Sequence, residues 1–342
     1  MDTKKEITIY DIAAHLKLSA STISRGLTDH PAIRKETKKR IHNAAREMGY
    51  QHNTFASNLR KKRTNTIGVI IPRLNSYFVS TVIAGMEKVV NDAGYNLIIS
   101  QSQEAVNKEK KSVDTMFNSR TDGLLVSLSY ETQNLDHFDT IFKKRIPVVF
   151  FDRVFEHPDC ISVVIDNYKA GYEATKHLIS QGCTKIVHIG GTLDRNVYAD
   201  RFKGYKKALK ESGLMFSDDL FIMSTLSDEA GVECIDKLLA MNPRPDGIFT
   251  SNDTSAVAII CELKKAGISV PEDVAVVGFN NDPISKVIEP NLTTVNYPGE
   301  EMGEIAATTL INTLKDDRDN QFTIIILKHE LIIRASSLRK KN

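Results

Sequence analysis

Over the first fifty residues the apolar positions recur at helical spacing. In Tyr10-Asp11-Ile12-Ala13-Ala14-His15-Leu16, residues Ile12, Ala13 and Leu16 share one face. Ser19 suits the N-cap of a second helix in which Ile23 and Leu27, four apart, point inward. A third stripe, Ile33, Thr37, Ile41, Ala44, Ala45 and Met48, stops at Gly49, which tolerates the backbone conformation that follows a helix end. Ala13 is small enough to let the first two helices cross closely. The pattern predicts three short helices around one small core.

From Thr66 the pattern changes. TIGVIIP is a short run rich in β-branched residues, and a helical stretch over 79–93 leads to YNLIIS. The alternation continues with a helix near 104–118, DGLLVSLS, a helix near 134–144 and IPVVFFD. It begins again with a helix near 168–181, KIVHIGG, a helix near 199–212, LFIMS, a helix near 228–241, DGIFTSND, a helix near 254–265 and VAVVGFNND. Strands that are apolar throughout and separated by helices predict parallel sheets covered on both faces. There are enough strands for two such sheets, hence two lobes. A helix over 299–314 and the run FTIIIL come late and are expected to cross back between them. A length of 342 residues agrees with more than one core, since single cores stop growing near ~250–300 residues.

Charge sharpens the division. The overall net charge is only +2, but residues 1–65 carry eight Lys and six Arg against three Asp and three Glu, a net of +8, which leaves −6 for the rest. A basic head on a mildly acidic body predicts a polyanionic partner for the head alone. No apolar run approaches the ~20 residues of a membrane span, and MDTKKEITIY lacks the apolar core of a signal peptide, so a cytoplasmic protein without a membrane partner is expected. Cys160, Cys183, Cys234 and Cys261 lie far apart without a CxxC pair and read as reduced thiols, not disulfides or zinc ligands.

Two short helices joined by a tight turn on a basic surface form a helix-turn-helix, and a second helix of this size fits the major groove of DNA. Its outward positions are Ala20, Ser21, Thr22, Ser24 and Arg25. Arg25 can pair with guanine O6 and N7, Ala20 and Ser21 lie near the groove-entering end, and Thr22 and Ser24 are short donors suited to phosphates. Thr8 and Tyr10, at the start of the first helix, join this DNA-facing set. The plain alternative is a helical hairpin with a solvated face. Beyond it, Asn53 can cap a helix from Thr54 to Arg60 with Phe55, Ala56 and Leu59 on one face. So short a helix is marginal in water and is expected to form only when held, for instance by DNA. Lys61, Lys62 and Arg63 would then attract phosphates and Leu59 would wedge between base steps. A flexible basic linker is the alternative.

The stretches TIYDIAAHLKLSASTISRGL, HNTFASNL and TIGVIIP resemble the lactose-repressor (LacI/GalR) family of bacterial transcription regulators. In the body DGLLVS, IPVVFFDR, DNYKAGYEATKHLISQGCTKIVHIGG, RFKGYKKAL, SNDTSA, VPEDVAVVGFNND and PNLTTV follow in the family's order, so the resemblance spans nearly the whole chain. It implies an all-α helix-turn-helix domain over 1–52, a hinge helix and linker over 53–65, and a two-lobed α/β periplasmic-binding-protein-like domain over 66–342. Lobe 1 would comprise 66–165 and 297–324, and lobe 2 would comprise 166–296 and 325–342. By position, Ala20, Ser21 and Arg25 would read bases, and Leu59 would kink the DNA. Lys17 stands where the family commonly has the turn glycine, and Gly26, late in the reading helix, lowers that helix's own stability.

Two parallel lobes create a cleft at the carboxyl ends of their strands. Asp152 follows IPVVFF, Asn252-Asp253 follow GIFTS, Asn280-Asn281 follow VAVVGF, and Asn75, Ser76, Tyr77 and Phe78 follow the first strand. Carboxylates and amides with an arginine can clamp vicinal hydroxyls while Phe or Tyr covers the apolar side of a sugar ring; each polar residue alone also reads as a cap for the next helix. The resemblance implies that Asp152, Arg201, Asn252 and Asn280 contact a small-molecule effector, with Tyr77 and Phe78 near the mouth. Asn280 replaces the family's usual aspartate and Ala258 a common glycine. No catalytic set, phosphate loop, cofactor motif or metal-ligand spacing occurs, so a non-enzyme without cofactor or metal is expected. The reading is a homodimer on a palindromic double-stranded DNA operator, controlled by a sugar-like effector. The rivals are an exported solute-binding protein, an architectural DNA protein and a cytosolic sugar-binding or sugar-converting protein without regulatory DNA binding.

Overall fold

The structure, a computed structural model, describes residues 7–50, 63–315 and 323–340. The chain divides into two compact units, Met1–Thr64 and Asn65–Asn342. The proposed neck positions Asn53, Phe55, Ala56 and Leu59, with Lys61 and Lys62, lie outside the described residues.

In the head, helices α1 (Ile9–Leu16), α2 (Ala20–Leu27) and α3 (Lys35–Glu47) enclose Ile12, Ile23 and Ile41, all fully buried, with Ala44 and Ala45. Thr8 opens α1 by donating its backbone N–H (2.8 Å) and its hydroxyl (2.6 Å) to Asp11 Oδ2. Lys17 closes α1 in the left-handed region at φ 54°, a conformation that costs a residue with a Cβ ~1–2 kcal/mol and explains why glycine suits this turn. Ser19 Oγ accepts from the Thr22 backbone N–H at 3.2 Å, as an N-cap should. Ile33 precedes the third helix, which begins at Lys35. Gly26 has a packing role: a Cβ there would overlap Ile41 Cδ1, so the residue that weakens the helix alone lets α2 sit against α3.

The body holds two six-stranded sheets. The first comprises β1 (Thr66–Ile71), β2 (Asn96–Gln101), β3 (Gly123–Val126), β4 (Val148–Phe151), β5 (Ile161–Ile165) and β11 (Thr323–Leu327), in the order β11-β5-β4-β3-β1-β2, all parallel. The second comprises β6 (Ile186–Gly190), β7 (Phe221–Met223), β8 (Gly247–Thr250), β9 (Ala275–Asn280), β10 (Thr293–Asn296) and β12 (Glu330–Ile332), in the order β12-β10-β9-β8-β6-β7. Here the parallel pattern breaks at one edge, where β12 pairs antiparallel with β10. Strands β5, β10 and β12 were not anticipated: each sits beside a crossing between lobes, β5 and β12 follow the preceding strand with no helix between, and only the four-residue helix Ile284–Val287 separates β10 from β9. β11 lies wholly in the first sheet, so the last crossing follows Leu327 and does not fall at 324/325.

Helices cover both sheets. α4 (Tyr77–Asp92), α5 (Val106–Asn118), α6 (Asp139–Lys143) and, from the late segment, α12 (Gly299–Lys315) pack on the first lobe. The second carries α7 (Asn167–Ser180), α8 (Asn196–Glu211), α9 (Asp228–Ala240), α10 (Asp253–Lys265) and the short α11 (Ile284–Val287). α7 crosses α8 where Gly171 and Gly204 meet the partner backbone, a Cβ on either overlapping the carbonyl of Arg201 or Tyr168. The close crossing brings Arg201 against the end of the sheet. All four cysteines are free, three of them buried. Among the described residues no helix is long and apolar enough to cross a membrane, and no three potential metal ligands come together.

Candidate functional site

On the head, Ser21 and Arg25 lie four residues apart on α2 and are exposed, whereas Ala20, Thr22 and Ser24 are half-buried. The Ser19 hydroxyl bonds to those of Ser21 (2.9 Å) and Thr22 (2.8 Å), which fixes the short side chains of the first turn. Arg25, a turn later, is exposed. Tyr10 is 71% exposed, while the Thr8 hydroxyl is committed to Asp11.

In the body, a cavity of about 570 Å³ opens where the strand ends of the two sheets face each other. Asn75, Tyr77, Phe78, Asp152, Arg201, Asn252 and Asn280 all line it. Burial pushes the Asp152 carboxyl above the ordinary carboxylate range, opposed by the Arg153 guanidinium and by hydrogen bonds donated from Tyr297 (2.8 Å) and Ser127 (3.3 Å). The buried Arg201 lies 3.5 Å over the Phe279 ring and donates to Asn167 Oδ1 (2.8 Å) and the Ser251 carbonyl (3.0 Å). Phe78 stacks on Tyr297 at 4.2 Å, forming an aromatic wall, and Tyr77 stays half-exposed.

Asn252 is on the wall but its amide is engaged. Oδ1 accepts from the Ser255 backbone N–H at 3.0 Å and Nδ2 donates to the Leu226 carbonyl at 2.6 Å, so its side chain caps α10. The plain reading of that residue holds here. Asn280 ends β9 at φ 108°, and the backbone turns there so that Asp282 also reaches the wall.

Sequence reasoning missed a second layer. Arg153 donates to Glu104 Oε2 (2.7 Å) and the Tyr198 hydroxyl (3.1 Å), with its guanidinium 4.2 Å over the Tyr130 ring. Tyr130 and Tyr198 share a hydroxyl bond of 3.0 Å across the lobes. Asn196 donates to the Asp152 carbonyl and accepts from the Val154 backbone N–H, both at 3.0 Å. Arg153 adjoins Asp152 in FFDR, and Tyr297 ends TTVNY; their position after strands was the available signal.

Comparison with known proteins joins the two halves. Residues 8–53 match the profile "Bacterial regulatory proteins, lacI family", and residues 175–337 match "Periplasmic binding protein-like domain". The chain is 32% identical to the HTH-type transcriptional regulator RegA of Clostridium saccharobutylicum, over 97% of this chain and 99% of that one. It is 30% identical to catabolite control protein A of Priestia megaterium, with the same shares covered. The chain belongs to the LacI family. Among solved structures, a lac repressor dimer bound to operator and an anti-inducer superposes with a TM-score of 0.85 over 98% of this chain and all of that one, at 21% identity, which speaks to the fold. Catabolite control protein A of Lactococcus lactis, at 30% identity and TM-score 0.71, covers 80% of this chain and 98% of its own. This LacI-family protein is therefore a DNA-binding transcriptional regulator and not an enzyme, with a helical helix-turn-helix head and a two-lobed α/β body.

Proposed function

We propose that this LacI-family protein is a cytoplasmic repressor that binds a palindromic operator as a homodimer and changes its operator affinity when a sugar-like effector enters the cleft. The carrying observation is the cavity between the lobes, where an acid, a stacked guanidinium, amides and an aromatic wall converge. Such a set grips hydroxyl groups on one side and the apolar face of a ring on the other. Arg25 and Ser21 read base edges, Ala20 packs near them, and Thr22, Ser24, Thr8 and Tyr10 contribute to docking on the duplex. Asn53, Phe55, Ala56 and Leu59 form the neck that couples cleft to DNA. One head reads only a few base pairs, so two are needed for a palindromic site.

The test is fluorescence anisotropy on a palindromic duplex selected from random sequence by the full-length protein, measured with and without a panel of sugars. The expected result is a strong preference for the palindrome over a scrambled duplex, changed at least tenfold by one sugar. Equal affinity for both duplexes, or indifference to every sugar, overturns the reading.

A further inference from the structure

Glu109 is fully buried on α5, yet it is not part of the cavity wall. A carboxylate is seldom enclosed unless donors satisfy it, and here three converge. The Ser129 backbone N–H donates to Oε2 at 2.7 Å, while the Thr132 hydroxyl (2.7 Å) and His137 Nε2 (2.8 Å) donate to Oε1. Ser129 and Thr132 are the two ends of one tight turn after β3, joined by a hydroxyl bond of 2.7 Å. His137 belongs to the short helical turn that follows, Asp136–Phe138. One enclosed carboxylate thus fixes both ends of the turn from inside the first lobe.

The same turn receives the second lobe. Arg195 donates to the Thr132 carbonyl, and Tyr198 shares a hydroxyl bond of 3.0 Å with Tyr130 at the tip. The Tyr130 ring also lies 4.2 Å beneath the Arg153 guanidinium. Arg195 and Tyr198 both come from the start of α8, so this turn is the seat on which that helix docks. Glu104 accepts from the Tyr130 backbone N–H at 3.1 Å, but Glu104 is itself on the cavity wall and bound to Arg153. Glu109 reaches the cleft only through the turn.

We infer that Glu109, with His137, is a positioning residue for lobe closure: it sets the turn against which α8 docks and so tunes the closed fraction of the cleft from outside the ligand cavity. The inference does not depend on what occupies the cleft. Glu109→Gln keeps the size of the side chain but turns an amide N–H toward one of the three donors. The turn is then released, the Thr132 carbonyl and Tyr130 hydroxyl no longer stand where Arg195 and Tyr198 meet them, and the population shifts toward open lobes.

Residue-resolved hydrogen exchange on the ligand-free, full-length protein tests this. The Val154 N–H donates across the cleft to Asn196 Oδ1 at 3.0 Å, whereas the Asp152 N–H donates within the first lobe to the Val163 carbonyl, also at 3.0 Å. Opening of the lobes exposes the first amide and spares the second. Glu109→Gln should speed exchange at Val154 at least tenfold and leave Asp152 within twofold of the parent. Ser112→Ala is the control on the same helix. Ser112 bonds to the Ser100 hydroxyl (2.8 Å) and the Lys108 carbonyl (2.9 Å), not to the turn, so its loss should leave Val154 within twofold as well. Thr132→Val removes one donor from Glu109 with little change of shape and should speed Val154 at least threefold. That variant decides the matter if Glu109→Gln shows no cooperative unfolding transition. Parental exchange at Val154 in a folded Glu109→Gln, or failing that in Thr132→Val, overturns the inference. Equal acceleration at Val154 and Asp152, or the same acceleration at Val154 in Ser112→Ala, also overturns it and leaves Glu109 a stabiliser of its own lobe.

Discussion

Arg25 is the exposed side chain of α2 with a geometry able to discriminate a base. A guanidinium paired with guanine contributes ~1–3 kcal/mol of discrimination, whereas phosphate contacts are indifferent to sequence. Arg25→Ala should therefore lower affinity for the selected palindrome about tenfold or more while barely altering binding to scrambled DNA, as competition titrations would show; equal loss on both would make Arg25 a phosphate contact. Asp282 offers a different prediction. Burial pushes its carboxyl up to about 6, above the ~3.9 of an unfolded aspartate. The folded protein then holds this proton more tightly than the unfolded chain. The contribution to stability is complete below about pH 4 and is lost as pH rises through about 6. Linkage puts that loss on the order of 3 kcal/mol. Asp282→Asn should unfold at a higher temperature than the parent at pH 8, the two converging near pH 4 in scanning calorimetry without ligand. At this scale the sequence showed which polar residues follow strands, but not what each does once there. Asn252 and Asn280 look alike in GIFTSND and VAVVGFNND, yet one is consumed as a cap and the other ends its strand at positive φ beside Asp282.

Elements were more legible than residues, because a buried parallel strand is an unbroken apolar run and a covering helix has a stripe at its own period. KIVHIGG and DGIFTSND announce β6 and β8 on these grounds. ISVVI, TTVN and ELI carry weaker signals: they lie beside lobe crossings, and ELI pairs antiparallel through only three residues. Close helix crossings left no periodic trace either. α7 and α8 touch through Gly171 and Gly204, and the first lobe repeats the device where Gly85 of α4 meets Gly303 of α12. A methyl group at 204 would overlap the Tyr168 carbonyl oxygen, and backbone cannot swing aside as a side-chain tip can. Gly204→Ala should therefore destabilise the body by ~1–3 kcal/mol, seen as a lower melting temperature. Because Arg201 lies three residues earlier on α8, the same variant should weaken sugar binding. A variant as stable as the parent would show that the helices separate at no cost.

For the whole molecule the question is what holds two lobes, joined by three strands of chain, in one arrangement. Direct bonds across the cleft supply part of the answer: Tyr198 of the second lobe meets Arg153 at 3.1 Å and Tyr130 at 3.0 Å, Arg195 donates to the Thr132 carbonyl, and Asn196 brackets the backbone at Asp152 and Val154. Bonds of this kind lower the free energy that a ligand bridging the lobes must supply to close them. Removing one hydroxyl tests the point with little change of shape. Tyr198→Phe keeps the ring beside Arg153 and Tyr130 but deletes both hydroxyl bonds, at ~0.5–1.5 kcal/mol each. The closed fraction of the free protein should fall, and the apparent affinity for sugar should fall with it, by about threefold to a hundredfold. Small-angle scattering should record a larger radius of gyration for the ligand-free variant and the parental value at saturating sugar. If the free variant scatters as the parent does and binds sugar equally well, the cross-lobe hydroxyls are incidental and closure rests on the edge-on packing of Tyr297 against Phe279.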